Sequence, residues 1–342
     1  MKPTIHRPSS CLLAIACTAA SAIAETLPEP FPLQFSTGSD RLFMTYSGTA
    51  NSQGDSVMNA DTARTTFGVT GAGIKIGVIS DSFNGSGSSP TLATQIAAGD
   101  LPGATNPSNY TTPVTVLKED SETDEGRAMA EIVHDISPGS ALYFHSAFNN
   151  ASTPLPSSHL TVAPDQTIAT AINNLAAQAG MDIIVDDVGI LTASRFQDGP
   201  AAQAANAAYN AGIAYFSAAG NSATDATRVT TSAASGSSVN WGTDNLLRMS
   251  IPANSTGLIS VQWAESYGSV TQQSTNTSNF SLAIMTEDGT SSHFLVNDQG
   301  TGQDPYEFAE VTNITGTTQS FALRVDRITG SSTLPIQVST YG

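Results

Sequence analysis

Cysteine is nearly missing from this chain: its 342 residues hold two, Cys11 and Cys17, both close to the N-terminus. Beyond Cys17 there is nothing to build a disulfide, a thiolate metal site or a Cys nucleophile. Bases are also few, 12 Lys+Arg against 29 Asp+Glu, for a net charge of -17. A surface this acidic repels phosphate backbones and no basic cluster offsets it, which excludes nucleic acid as a partner. Charged residues make up only 12% of the chain, too few for coiled coils or long solvated helices. No apolar run reaches the roughly 18 residues of a stable membrane span. What the chain does have, 28 Gly and 17 Pro beside 39% hydrophobic residues, reads as a globular protein with many turns and short strands.

Residues 1–24 read as an export signal, with Lys2 and Arg7 as the basic start, Leu12 to Ala20 as the apolar stretch and Ala22-Ile23-Ala24 as the cleavage site. Cleavage there leaves a cysteine-free and still more acidic chain, secreted or periplasmic. Lipid attachment at Cys17 is the weaker reading, because Ala14 stands where such a motif carries Leu.

Residues 25–65 are rich in Pro, Ser and Gly, with little periodicity, and read as a spacer or propeptide remnant. Over residues 66–228 short apolar runs alternate with amphipathic segments, the pattern of a doubly wound, mostly parallel α/β sheet. The expected strands are Ile74 to Ser80, Val114 to Leu117, Ala141 to Ser146, Asp182 to Val185 and Ile213 to Ala218. Three helices are expected: Asp124 to Ile136, about Asp165 to Ala179, and one between Pro200 and Gly212. Residues 229–342 show no convincing helix and only alternating runs, among them Leu258 to Trp263, Phe280 to Met285 and Phe321 to Val325. These predict an all-β sandwich or jelly-roll-like domain.

Three places carry candidate chemistry. Asp81 follows the first strand, where open α/β sheets bind ligands, although an Asp there also serves as an ordinary turn residue. Glu125 opens the first expected helix, at a spacing that turns it toward Met129 and Ile132; it reads either as a helix-dipole partner or as a semi-buried carboxylate facing Asp81. Asn221 ends Ser217-Ala218-Ala219-Gly220-Asn221 after a strand, as a turn residue or as a hydrogen-bond donor to a developing oxyanion. Gly71-Ala72-Gly73 precedes a strand with no helix directly after it, the wrong context for a dinucleotide.

Taken together, Gly71 to Ser82, Asp124-Glu125-Gly126-Arg127, Ser137 to Ala141 and Ala218 to Asn221 resemble, in order and spacing, the first part of the subtilisin-like peptidases and their sedolisin relatives. The resemblance spans roughly residues 66 to 222. It implies peptide-bond hydrolysis through an acyl-enzyme, with a polypeptide substrate: Glu125 as general base in place of the subtilase His, Asp81 sharing its proton and orienting it, Asn221 on the oxyanion. The Asp that sedolisins carry four residues after the Glu is here Met129. Asp186 and Asp187 fall in the segment resembling the substrate-binding wall, and His134 lies outside the motif position and reads as structural. Gly289-Thr290-Ser291 is the only Gly-Thr-Ser, and it lacks the Pro and the helical period of the family's nucleophile segment. Ser291 is therefore not expected to act, and the chain is expected to stop before that segment and to be inactive alone.

The competing expectation is a non-enzymatic secreted protein whose sandwich binds a polymer or cell surface. No cofactor is implied. Calcium at loops such as Asn297-Asp298-Gln299-Gly300 finds too few ligands in any known loop pattern. The export reading is checked by N-terminal sequencing of the protein recovered outside the cytoplasm, which is expected to begin at Glu25; retention of Lys2 and Arg7 in that fraction would overturn it.

Overall fold

The computed structural model describes residues 50–85, 89–120, 123–148, 165–189, 193–220, 226–231, 236–271, 276–297, 304–330 and 333–341. The proposed signal, residues 1–24, lies outside them. The chain divides into two compact units: residues through Ala147 with Ala171–Val188 and Ala208–Asn221, and Phe148–Thr170 with Gly189–Ala207 and Ser222–Gly342.

In the first unit, strands β1 (Lys75–Ser80), β2 (Thr115–Lys118), β3 (Ala141–Ser146), β4 (Ile183–Asp186) and β5 (Ala214–Ser217) form one parallel sheet in the order β2-β3-β1-β4-β5. The expected α/β architecture is therefore present, with every expected strand found within a residue or two of its expected limits. β1 occupies the centre because it can be buried on both faces: Ile76, Gly77, Val78, Ile79 and Ser80 are all buried, as befits an apolar run between two helical layers. Ile76 and Val78 pack with Leu142, Phe144 and Met129, while Gly77 faces Leu175 so closely that a Cβ would lie 3.0 Å from its methyl groups.

Helices α1 (Gln53–Val57) and α2 (Ala60–Phe67) fall inside the stretch read as a spacer, and α3 (Leu92–Ala98) was also not anticipated. None of the three shows a long apolar stripe; α3 packs Leu92 and Ile96 on the core around Phe83 and Leu101, whereas α1 and α2 are held by polar contacts. Arg64 of α2 donates to both oxygens of Asp55 at 2.6 Å and to the Ile136 carbonyl at 2.8 Å. The Ser52 amide donates to Asp135 at 2.6 Å. α4 (Glu125–Ile136), α5 (Asp165–Ala176) and α6 (Pro200–Asn210) match expectation. His134 of α4 is buried, with Tyr110 edge-on at 5.4 Å, and burial lowers its pKa to about 4. It is a neutral core residue at physiological pH.

The second unit contains two antiparallel four-stranded sheets. One is ordered β10 (Ser292–Val296), β9 (Asn279–Met285), β12 (Gln319–Thr329), β7 (Leu247–Ile251). The other is β11 (Tyr306–Asn313), β8 (Ser255–Trp263), β13 (Leu334–Tyr341), β6 (Ala226–Thr231). Alternate residues of both sheets, including Val261, Trp263, Leu282, Ile284, Leu323, Val325, Ile336 and Val338, fill one core, the packing of a β-sandwich. Among the described residues, the helix-free expectation for this region fails only at α7 (Gly268–Thr271), a single turn.

Two glycines explain the motif around them. Gly71 has φ +80° and sits so close to Ser137 and Ser140 that any side chain would overlap their hydroxyls, which accounts for the glycine before β1 without a nucleotide. Gly126 lets the first turn of α4 lie against Phe144 and within reach of the Ser82 carbonyl; a Cβ would overlap the ring and lie 2.8 Å from that oxygen. Gly126→Ala is expected to lose about 1–3 kcal/mol of stability through overpacking, despite alanine's better helix propensity. Urea unfolding checks this, and an unchanged midpoint would contradict it.

Candidate functional site

The sheet order places β1 beside β4 at the point where successive connections leave in opposite directions, the switch point at which open α/β sheets form a ligand crevice. The carboxyl ends of these two strands carry Ser80-Asp81 and Asp186-Asp187. Helix α4 begins beside them with Glu125.

Asp81 is buried and accepts from donors on two segments. Its Oδ1 receives the Ser82 amide, the Ser82 hydroxyl at 3.3 Å and the Gly126 amide at 3.3 Å. Its Oδ2 receives the Thr123 amide at 2.8 Å and the Thr123 hydroxyl at 2.5 Å. The carboxylate thus satisfies part of the open N-terminus of α4, the role a capping side chain would otherwise take. That lets Asp124, the residue before the helix, turn its side chain elsewhere: it is left-handed, φ 62°, and makes no side-chain cap bond. Asp124 instead pairs with Arg127 at 2.9 Å, both buried, and accepts from the Ser82 hydroxyl at 3.2 Å and the Gly85 amide at 2.5 Å. Glu119 takes the Phe83 and Asn84 amides at 2.8 and 2.9 Å. The loop after β1 is therefore held through its backbone N–H groups by three carboxylates.

Glu125 is half-buried on the first turn of α4, with Met129 buried, Ile132 half-buried and Ala128 exposed on the next turns. Its spacing predicts a buried face shared with Ala128, Met129 and Ile132, which holds at Met129, in part at Ile132, and not at Ala128.

The two aspartates of β4 and its end divide their tasks. Asp186 is buried and accepts from the Tyr215 hydroxyl at 2.5 Å and the Ser217 hydroxyl at 2.9 Å, both on β5. Burial raises its pKa, and these two donors pull it back. Asp187 is less well served. Its Oδ2 and the Ser80 Oγ are both buried, and the Ser80 hydroxyl, near enough to act on the carboxylate as a hydrogen-bond donor, makes no contact of full hydrogen-bond geometry with it. Its pKa is pushed up to about 7, first by burial and then by the negative charge of Glu125, with Asp81 and Asp186 adding to it and the nearby Ser80 hydroxyl pulling the other way. Sequence reasoning set Asp187 aside as cleft wall. The signal that points to it is the alternation of a strand: of two successive aspartates, only one can face β5's hydroxyls.

His145 on β3 accepts at Nε2 from Asn174 Nδ2 at 2.9 Å and donates from Nδ1 to the Ser146 carbonyl at 2.8 Å, a neutral tautomer whose pKa burial lowers. Asn221 lies outside the described residues, as do residues 298–300 of the acidic loop considered for calcium. Ser291 sits in the β9–β10 hairpin turn of the other unit, where its amide donates to Thr286 Oγ1 at 3.1 Å and its carbonyl accepts from the Thr286 amide at 2.9 Å. Among the described residues no group of three or more His, Cys, Asp or Glu is arranged to hold a metal, and no helix is long and apolar enough to cross a membrane. A cleft of about 380 Å³ opens in the sandwich between Leu247, Met249, Leu258 and Phe321, but among the described residues Arg248 is the one charged side chain in its lining. The titratable chemistry is at the switch point.

The raised pKa of Asp187 fixes a pH dependence. An unfolded Asp titrates near 3.9 and the folded group near 7, so between these values the folded state holds the extra proton and its stability falls as pH rises. Asp187→Asn removes that loss. Relative to wild type the variant is expected to gain stability progressively from about pH 4 to about pH 7 and to keep a constant advantage above; a difference independent of pH would show that Asp187 is not so perturbed.

No family model and no curated protein matches this chain. Among solved structures it is similar to the CspB protease of Clostridium perfringens at 10% sequence identity and a TM-score of 0.37, covering 82% of this chain and 65% of that one. The chain thus spans less than two thirds of that protein's length, and a likeness this loose assigns no residue a role.

Proposed function

We propose that this is an exported protein of the serine-peptidase type whose α/β unit engages a polypeptide at the ends of β1 and β4, with Glu125 as the general base. The observation that carries the reading is the meeting of Asp81, the start of α4 and the aspartates of β4 at the switch point of a parallel sheet. In the acyl-enzyme scheme a hydroxyl nucleophile attacks the peptide carbonyl while Glu125 takes its proton. The tetrahedral oxyanion is met by Asn221, and collapse expels the amine, to which Glu125 returns the proton; water then repeats the sequence on the acyl group. Asp81 orients the base by holding the helix on which it sits. Ser291 is not assigned as nucleophile, because its hairpin turn supplies neither a base nor a helix N-terminus.

The test supplies the purified 342-residue chain with unfolded casein. Slowed hydrogen exchange is expected at residues 81–85, 123–126 and 186–189, with no cleavage and no labelling by a serine-directed phosphonate. Protection confined to the sandwich, for instance at 247–251 and 319–323, would transfer the function to a binding surface there. Labelling of a single serine would overturn the absence of a nucleophile.

A further inference from the structure

We propose that the sandwich binds an extended polypeptide of its own, as a further strand on the free edge of β7, with alternate apolar side chains of the guest entering the cleft beside that edge. The inference goes beyond the reading of the α/β unit and does not depend on it.

β7 ends its sheet, and among the described residues its ladder partner is β12 alone, from Leu247 opposite Leu323 to Ile251 opposite Gln319. An antiparallel ladder on one side uses the N–H and C=O of every other residue and directs the alternate set away from the partner. The cleft of about 380 Å³ lies along β7: every residue of the strand, Leu247 through Ile251, borders it, whereas β12 contributes only Phe321 and β13 only Val338 and Thr340. β8 adds residues 256–259, just after the turn from β7. A strand met on its face offers alternate residues, and one met at its edge offers them all. The wall at β7 is thus a backbone edge, and behind it the cleft is apolar, with Leu258, Phe321 and Val338 buried.

The other edge strands are less suited. β10 is interrupted by a bulge at His293, a device that turns an edge away from further pairing. β11 carries Glu307 and Glu310. β6 has Arg228 stacked over Phe196 at 4.9 Å. β7 keeps an unbroken register, and its one charge, Arg248, is matched by Asp244 at 2.7 Å.

Charge then selects the guest. Arg248 also borders a surface depression with Glu287 and Asp288. Because Asp244 already matches Arg248, the balance there is negative, in a chain of net charge -17. The fitting partner alternates apolar with polar residues and carries a basic residue at its end, whereas a second copy of this chain would bring like charge to the same place. Strand addition of this kind draws affinity from main-chain hydrogen bonds and specificity from pockets for alternate side chains.

The probe is a short peptide alternating valine with threonine, blocked at its termini and carrying lysine at both ends, added to the full 342-residue chain. Hydrogen exchange is expected to slow at residues 247–251. N-methylation of one alternate set of the peptide's amides, either the valines or the threonines, is expected to weaken binding about tenfold or more, while methylation of the other set is tolerated. Glutamate in place of the lysines is expected to weaken it as well. No slowing at 247–251, equal effects of the two methylated sets, or equal affinity for the glutamate peptide would overturn the proposal. So would protection at 247–251 that grows with protein concentration in the absence of peptide, which would assign the edge to a second copy. The changes are made in the peptide, so no variant of the protein has to fold. The two sites are read at separate segments: absence of casein protection at 81–85, 123–126 and 186–189 would remove the proposed function and leave this site standing, and the reverse holds as well.

Discussion

A single buried carboxylate ties the site together. Asp81 ends the central strand, and through its two oxygens it gathers the amides of Ser82, Thr123 and Gly126. Those of Ser82 and Gly126 belong to buried residues and would otherwise lack a partner, at a cost of about 1–3 kcal/mol apiece. Because these donors come from the loop after β1 and from the first turn of α4, the contact fixes helix to strand. The place of Glu125, on that first turn, is a consequence of it. The Asp124–Arg127 pair and the Glu119 contacts extend the same arrangement outward, holding amides of residues 83–85. A loop shaped by its own backbone donors needs little hydrophobic anchoring, and apart from Phe83, packed on Phe144 at 5.5 Å, it has little.

Against that background the unsatisfied groups stand out. In this unit Arg127 meets Asp124 and Arg64 meets Asp55, and Asp186 has its two hydroxyls. Buried charge is normally compensated in this way, since desolvating it without a partner costs several kcal/mol per ion. Asp187 stands apart in having a buried oxygen beside other negative charges, first that of Glu125. A carboxyl in a crevice, perturbed by burial together with specific charge neighbours, is a functional-site candidate. Glu131 and Asp135, farther along α4, are also pushed up, to about 7 and about 6, mainly by burial. Their surroundings differ, because Asp135 accepts the Ser52 amide and Glu131 accepts from Gln95. Those contacts give each carboxyl a donor and dock the neighbouring segments, among them the one that leads into α1 and α2.

Much of the α/β unit was legible because its signals are local. β1 is a continuous apolar run, α4 has Met129 and Val133 at helical spacing, and Gly180 and Gly212 punctuate the ends of the two later helical stretches. Asp81 and Glu125 could be picked out for the same reason, each lying at the boundary of a strongly patterned element. α1 and α2 were not legible: their attachment runs through Arg64, Asp55 and the Ser52 amide, contacts that span up to 83 positions and leave no periodic trace. The importance of Asp187 was hidden similarly, because it depends on the register of β4 against β1, and those strands lie more than a hundred residues apart. The sandwich was legible as a class but not in its order, since antiparallel pairings such as β12 with β7 are set by the common core and not by any one strand.

The sign of the electrostatics depends on the identity of the base. A histidine base is served by a neighbouring carboxylate because the opposite charge favours the protonated ring that forms when it takes the nucleophile's proton. A glutamate base becomes neutral on taking that proton. An opposite charge beside it would hold its pKa low and make it a poor acceptor, whereas a like charge in a desolvated crevice raises the affinity for a proton toward the working range. A second carboxylate is thus the partner that glutamate requires. In the proposed reading with Glu125 as the base, Asp81, with its oxygens given to the loop and to α4, serves geometry, and the half-buried Asp187 supplies the neighbouring like charge.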